Sequence, residues 1–92
     1  TFGQADGLVN KALEVEGVRM AVLASERDDG IKMSLRAVEP DTVNDIAVLF
    51  GGGGHAQAAG CTIHAPLHEA LDQVLAAMKD KLDKTPRPEG RV

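Results

Sequence analysis

The sequence predicts an α/β fold, a small mixed sheet with helices packed on it, in a single domain. Three observations carry that prediction. The stretch from Arg19 to Ser25 holds a continuous apolar run, Met20-Ala21-Val22-Leu23-Ala24, too short for a core helix and suited to a strand buried on both faces. Ile31, Met33, Leu35 and Ala37 alternate with Lys32, Ser34 and Arg36, the period of two of a half-exposed strand. Leu67, Leu71, Val74, Leu75, Met78 and Leu82 recur at helical spacing and predict the most regular amphipathic helix in the chain.

The remaining elements follow in order. Leu8, Val9, Ala12 and Leu13 share one helical face, with Asp6 as the expected N-cap and Gly17 as the stop. After the first strand, Glu26-Arg27-Asp28-Asp29-Gly30 reads as a hairpin turn, since Asp-Gly is a strong local signal for one. Pro40 ends the second strand. Asp41 or Thr42 then caps a helix, with Thr42 and Asp45 at capping-box spacing and Val43, Ile46, Ala47, Leu49 and Phe50 as its buried stripe. Gly51 stands at the C′ position, four glycines in a row (Gly51 to Gly54) lead to His55, and Cys61-Thr62-Ile63-His64 reads as a third strand. Pro66 suits the first turn of the last helix, where its missing N–H costs nothing. Residues 1–83 form the expected domain and 84–92 an expected frayed tail, with nothing in it to bury.

Composition narrows the function. Apolar residues make up 43% of the 92, enough for a core and too many for a disordered segment. Ten Lys and Arg against fourteen Asp and Glu leave a net charge of −4, so the basic footprint of a protein gripping long nucleic acid is missing. Two Phe, with no Trp or Tyr, argue against an array of base-stacking platforms. Cys61 is alone and fits a reducing, cytoplasmic setting. No apolar run approaches the ~18–20 residues of a membrane span. Because the chain begins at Thr1 rather than Met, a fragment of a longer protein is expected.

The glycine run is the most informative feature. Consecutive glycines lose much conformational freedom on folding, and a domain keeps them where backbone passes close to something or takes positive φ. Successive N–H groups without Cβ atoms can form an anion nest, and His55 can donate a hydrogen bond to phosphate. The alternative is a flexible connector with His55 merely exposed. No Lys-Ser/Thr follows the glycines, so the loop is not a Walker A motif. Arg36 offers a guanidinium fork to phosphate or a base edge, or is an ordinary solvated Arg. His64 and His68 are separated by Pro66, which breaks any common helical face. No carboxylate–histidine cluster dense enough for a two-metal centre is present, so no catalytic or metal-ligating residue is assigned.

Gly52-Gly53-Gly54-His55 followed by Ala58-Ala59-Gly60 resembles the signature of the DHH-associated domain, type one, of DHH-family phosphoesterases. Lys32-Met33-Ser34-Leu35-Arg36 is similar to that family's Ser-x-Arg strand, and Val43-Asn44-Asp45-Ile46-Ala47 to the helix before its loop. The resemblance runs from about Asp6 to Leu82, toward the nanoRNase branch, bifunctional enzymes that trim short oligonucleotides and dephosphorylate 3′-phosphoadenosine 5′-phosphate. It implies that Gly52, Gly53, Gly54 and His55 hold a phosphate, and that Arg36 contacts another phosphate or the base. It also implies a partner DHH domain in the parent chain that carries two Mn²⁺ ions and performs the hydrolysis. Ala37 stands where relatives often have Ser, which removes any contact by that hydroxyl. A RecJ-like exonuclease module, an alanyl-tRNA synthetase module and a self-association domain are the competing readings. The synthetase version usually has Lys after its glycines, which His55 argues against.

Overall fold

The computed structural model describes residues 17–84. The helix expected within 6–16 and the chain from residue 85 onward lie outside the described residues. Strands β1 (Met20–Arg27) and β2 (Gly30–Ala37) form a hairpin, followed by helix α1 (Asn44–Leu49), strands β3 (Gly53–His55) and β4 (Ala58–Ile63), and helix α2 (Leu67–Lys84). The expected turn is shorter than the sequence suggested. Arg27 already pairs with Gly30, leaving only Asp28 and Asp29 between the strands.

The sheet order is β1-β2-β4-β3, and every pairing is antiparallel. The sheet is therefore not mixed, although β2 and β3 do run in the same direction. The two-residue connection Ala56-Gln57 folds β4 back into the gap between them, so the two parallel strands never touch. The glycine loop also becomes sheet: Gly53 to His55 is a strand. In addition, β1 is an edge strand and half-buried along nearly all its length, rather than covered on both faces.

Both helices lie on the face formed by the odd-numbered residues of β2 and β4. Met33, Leu35, Val43, Ile46 and Val74 are fully enclosed there. Cys61 belongs to the same core, and burial pushes its thiol pKa up. On α2 the buried line is Ala70, Val74 and Met78, while Leu67 and Leu75 are 40% and 46% exposed. The expected stripe thus holds at Val74 and Met78 and at Leu71, which packs against the core, while Ala70, outside that stripe, is buried in place of Leu67 and Leu75. Pro66 stands just before the helix, its carbonyl accepting the N–H of Ala70 at 2.9 Å.

Neither expected residue caps α1. The helix starts after Val43 without a side-chain cap, because distant cations claim both candidates. Arg19 forms a two-pronged ion pair with buried Asp41, Nε to Oδ2 and Nη2 to Oδ1, each 2.8 Å. Lys81 of α2 donates to Thr42 Oγ1 and Asp45 Oδ1, both at 2.6 Å. Leu49, expected in the stripe, is 73% exposed, since so short a helix buries only Ile46 and Ala47. Its C-terminus closes as expected: Gly51 takes φ +85°, its N–H reaches the Val48 carbonyl, and the Gly52 N–H reaches that of Ala47. That pair of bonds is a Schellman closure.

Burial of Asp45 works against its charge, but the Lys81 hydrogen bond and charge prevail and hold the carboxyl below its ordinary range. The stabilisation is thus complete above the ordinary carboxylate pKa and is lost as pH falls through the lowered value. Asp45→Asn should lower the urea midpoint at neutral pH and leave it unchanged near pH ~2. Asp45 is 58% exposed, so solvent screens the pair and the loss should stay below about 1 kcal/mol. An equal loss at both pH values would contradict the assignment.

Candidate functional site

The other face of the sheet is built in rows set by the strand register. Directly paired residues point to the same side, and Arg36 pairs with Ala58, which pairs with His55. Ser34, Gly60 and Gly53 make the next row, and Lys32 and Thr62 the one after. Arg36 and His55 therefore flank small Ala58, roughly 10 Å apart at the backbone for two strand spacings. Between their row and Lys32 lie two glycines, which leave a depression. A groove of about 250 Å³ follows it, lined by Lys32, Ser34, Arg36, Gly53, Gly54 and Gly60 among others.

The electrostatics of this face oppose those of the whole chain. On β1 the same side presents Ala21, Leu23, Ser25 and Arg27. Among the described strand residues it thus carries Arg27, Lys32 and Arg36 together with His55, and no carboxylate. The chain's net charge is −4, so the acidic residues have been placed elsewhere. Arg36 is half-buried, and its Nη1 donates to its neighbour's carbonyl, Leu35 O, at 2.9 Å.

The glycines divide into two kinds. A Cβ on Gly52 would fall 2.1 Å from the Gly60 carbonyl oxygen, and one on Gly54 would fall 2.6 Å from Ala59 Cα. Both are glycine because backbone passes too close for anything else. Gly53 differs: a Cβ there meets nothing within 4 Å, and its φ lies outside the left-handed region. Folding does not need Gly53 to be bare, and the space its side chain would take is the groove.

The structure thus brings Arg36, Gly53, Gly54 and His55 to one surface, while Gly52 lines a neighbouring recess. The run is not the free loop the sequence suggested: Gly53–His55 pairs with β4 as a strand, with Gly54 at φ +144°. Lys32 and Gly60 were not singled out as site residues. Lys32 shares the alternation that placed Arg36 on the polar face, a signal that was available, but the role of Gly60 depends on register, which local spacing does not encode. Arg36→Ala in the full-length parent should weaken substrate binding without unfolding, and Lys should recover only part of it because it lacks the fork. Unchanged KM and kcat would remove Arg36 from the site.

The domain is thus a small α/β unit, an antiparallel sheet with helices on one face and, on the other, cations beside a bare glycine on the edge strand β3. The chain belongs to the DHHA1 domain family, whose profile matches residues 1–84. It is 35% identical over 81 residues to the bifunctional oligoribonuclease and PAP phosphatase NrnA of Thermus thermophilus, a match covering 87% of this chain and 25% of that protein. It is 32% identical over 79 residues to the Bacillus subtilis protein of the same name, covering 86% and 24%. The crystal structure of an exopolyphosphatase-related protein from Bacteroides fragilis superimposes with a TM-score of 0.78 at 32% identity, covering 85% of this chain and 23% of that one. The chain spans about a quarter of the length of these relatives.

Proposed function

We propose that this chain is the substrate-binding domain of a cytoplasmic DHH-family phosphodiesterase acting on short oligonucleotides or small nucleotides. A phosphate sits in the groove over Gly53, within reach of Arg36 from β2 and of His55 farther along β3. The observation that carries this reading is the open space at Gly53 on a face whose strands present cations and no carboxylate. The Gly53 backbone admits the phosphate close to the sheet, the Arg36 fork supplies charge and orientation, and the His55 ring donates a hydrogen bond from the other side. Few local contacts suit a short substrate, and an acidic chain can afford them where a long basic track is absent.

The hydrolytic chemistry is assigned to a DHH domain elsewhere in the parent protein. Among residues 17–84 no group of three His, Cys, Asp or Glu side chains gathers where a metal could be held, so these residues do not fit a Mn²⁺ pair. When bound in the parent, such ions would polarise the phosphoryl oxygens and activate water. This domain's part is to hold and orient the substrate.

An amide-resolved NMR titration of this chain with inorganic phosphate and with AMP should shift Gly53, Gly54 and Arg36 at millimolar ligand. The same sample should show no phosphodiester hydrolysis with Mn²⁺ added. Shifts confined to α2, or turnover that co-purifies with the chain, would overturn the proposal.

A further inference from the structure

We infer that the recess beside the phosphate groove is a second nucleotide subsite, taking the base of the adjoining nucleotide while Lys32 holds the phosphate between them. The inference rests on the reading proposed above and extends it to a substrate of at least two nucleotides. The recess is the larger of the two, about 560 Å³, within the range of small-molecule sites. Lys32 and Gly60 line both it and the groove, so the two are continuous.

Its position follows from unequal strand lengths. β3 pairs only with Ala58 to Gly60, whereas β4 continues to Ile63. The Ala37 N–H donates to the Gln57 carbonyl, and that parity turns the odd residues of β4 toward β2 and the even ones toward β3. Thr62, past the end of β3, therefore directs its N–H and C=O at the outer edge of the sheet. The half-buried ring of Phe50, the bare backbone of Gly51 and Gly52, and His64 close the recess around that edge.

An aromatic side chain lining a recess beside an adjacent donor and acceptor matches the needs of a nucleobase, which packs against aromatic side chains and hydrogen-bonds along its edge. The chain has only two Phe, too few for an array of platforms, yet one of them stands here. Length is compatible with such a ligand. Lys32 and Arg36 lie four residues apart on one face of β2, roughly 13 Å at the strand rise, room for each to hold a different phosphate of a ligand of two nucleotides.

The test compares AMP with the 5′-phosphorylated diadenylate pApA, with EDTA present, by amide-resolved NMR on the 92-residue chain. AMP should shift the groove residues Gly53, Gly54 and Arg36 alone. The dinucleotide should shift these and also Thr62 and His64, and bind ~10-fold more tightly, about 1.4 kcal/mol. Lys32→Ala and His64→Ala, both exposed positions whose variants should keep the parent spectrum, should each remove most of that gain. If both ligands shift only Gly53, Gly54 and Arg36 with equal affinity, or the gain survives His64→Ala, the second subsite is refuted while the phosphate groove stands. If neither ligand shifts Gly53 and Gly54, the proposed function fails and this inference with it.

Discussion

Gly53→Ala is expected to leave the domain folded and to cut phosphate binding, and in the full-length parent to lower kcat/KM by roughly 10²-fold. The added methyl meets no protein atom within 4 Å, so folding has nothing to resist. Replacing glycine where the backbone is compatible typically stabilises by about 0.4–1 kcal/mol, through the unfolded chain. The groove loses the space through which phosphate approaches the sheet, and Gly53→Val should exaggerate the loss. Gly52→Ala is the control with the opposite signature. Its Cβ would collide with the Gly60 carbonyl and Cys61, so the urea midpoint should fall whatever happens to binding. Urea denaturation and phosphate titration of both variants check the pair. A Gly53→Ala domain that binds phosphate as the parent does would remove this position from the site.

His55→Ala should have an effect of similar size by a different route. The ring is exposed and shares a row with Ala58 and Arg36, so its removal opens no cavity in the core and should leave stability unchanged. A hydrogen bond to a charged group contributes about 1.5–3 kcal/mol. If it strengthens as charge develops on the phosphoryl oxygens, it acts as electrostatic stabilisation of the transition state. The expected loss in the parent's kcat/KM is then roughly 10–100-fold, at 1.4 kcal/mol per factor of ten. Because such a contact acts in the transition state, kcat should fall with kcat/KM. A variant with raised KM and unchanged kcat would show that His55 only binds. One with neither changed would show that it does not touch substrate.

Much of the candidate site was legible without coordinates. The alternation through β2 placed Arg36 on the polar face, and the run ending in His55 marked the loop and carried the family resemblance. Which residues meet across strands was not legible. Arg36, Ala58 and His55 form a row only because β4 inserts between β2 and β3, and nothing local in the chain specifies that insertion. The glycines looked equivalent in sequence as well. Their separation into Gly52 and Gly54, required by close backbone contact, and Gly53, bare beside open space, depends on what lies opposite each of them.

Most of the described elements and their order were determined by local chemistry, β3, which reads as a glycine loop, being the exception. Periods of two and of helical spacing, glycine at the end of α1 and proline before α2 act within a few residues, and a sequence displays them directly. The tertiary structure decided what depends on distant partners. Arg19 and Lys81 drew Asp41 and Thr42 away from capping, from 22 and 39 residues off. Ala70 joined Val74 and Met78 on the inner line of α2, where Leu67 and Leu75 were expected. The register assembled the site's cations on one face of an acidic chain. Such outcomes turn on which surfaces fit when the layers pack, a competition among long-range contacts that residue spacing cannot express.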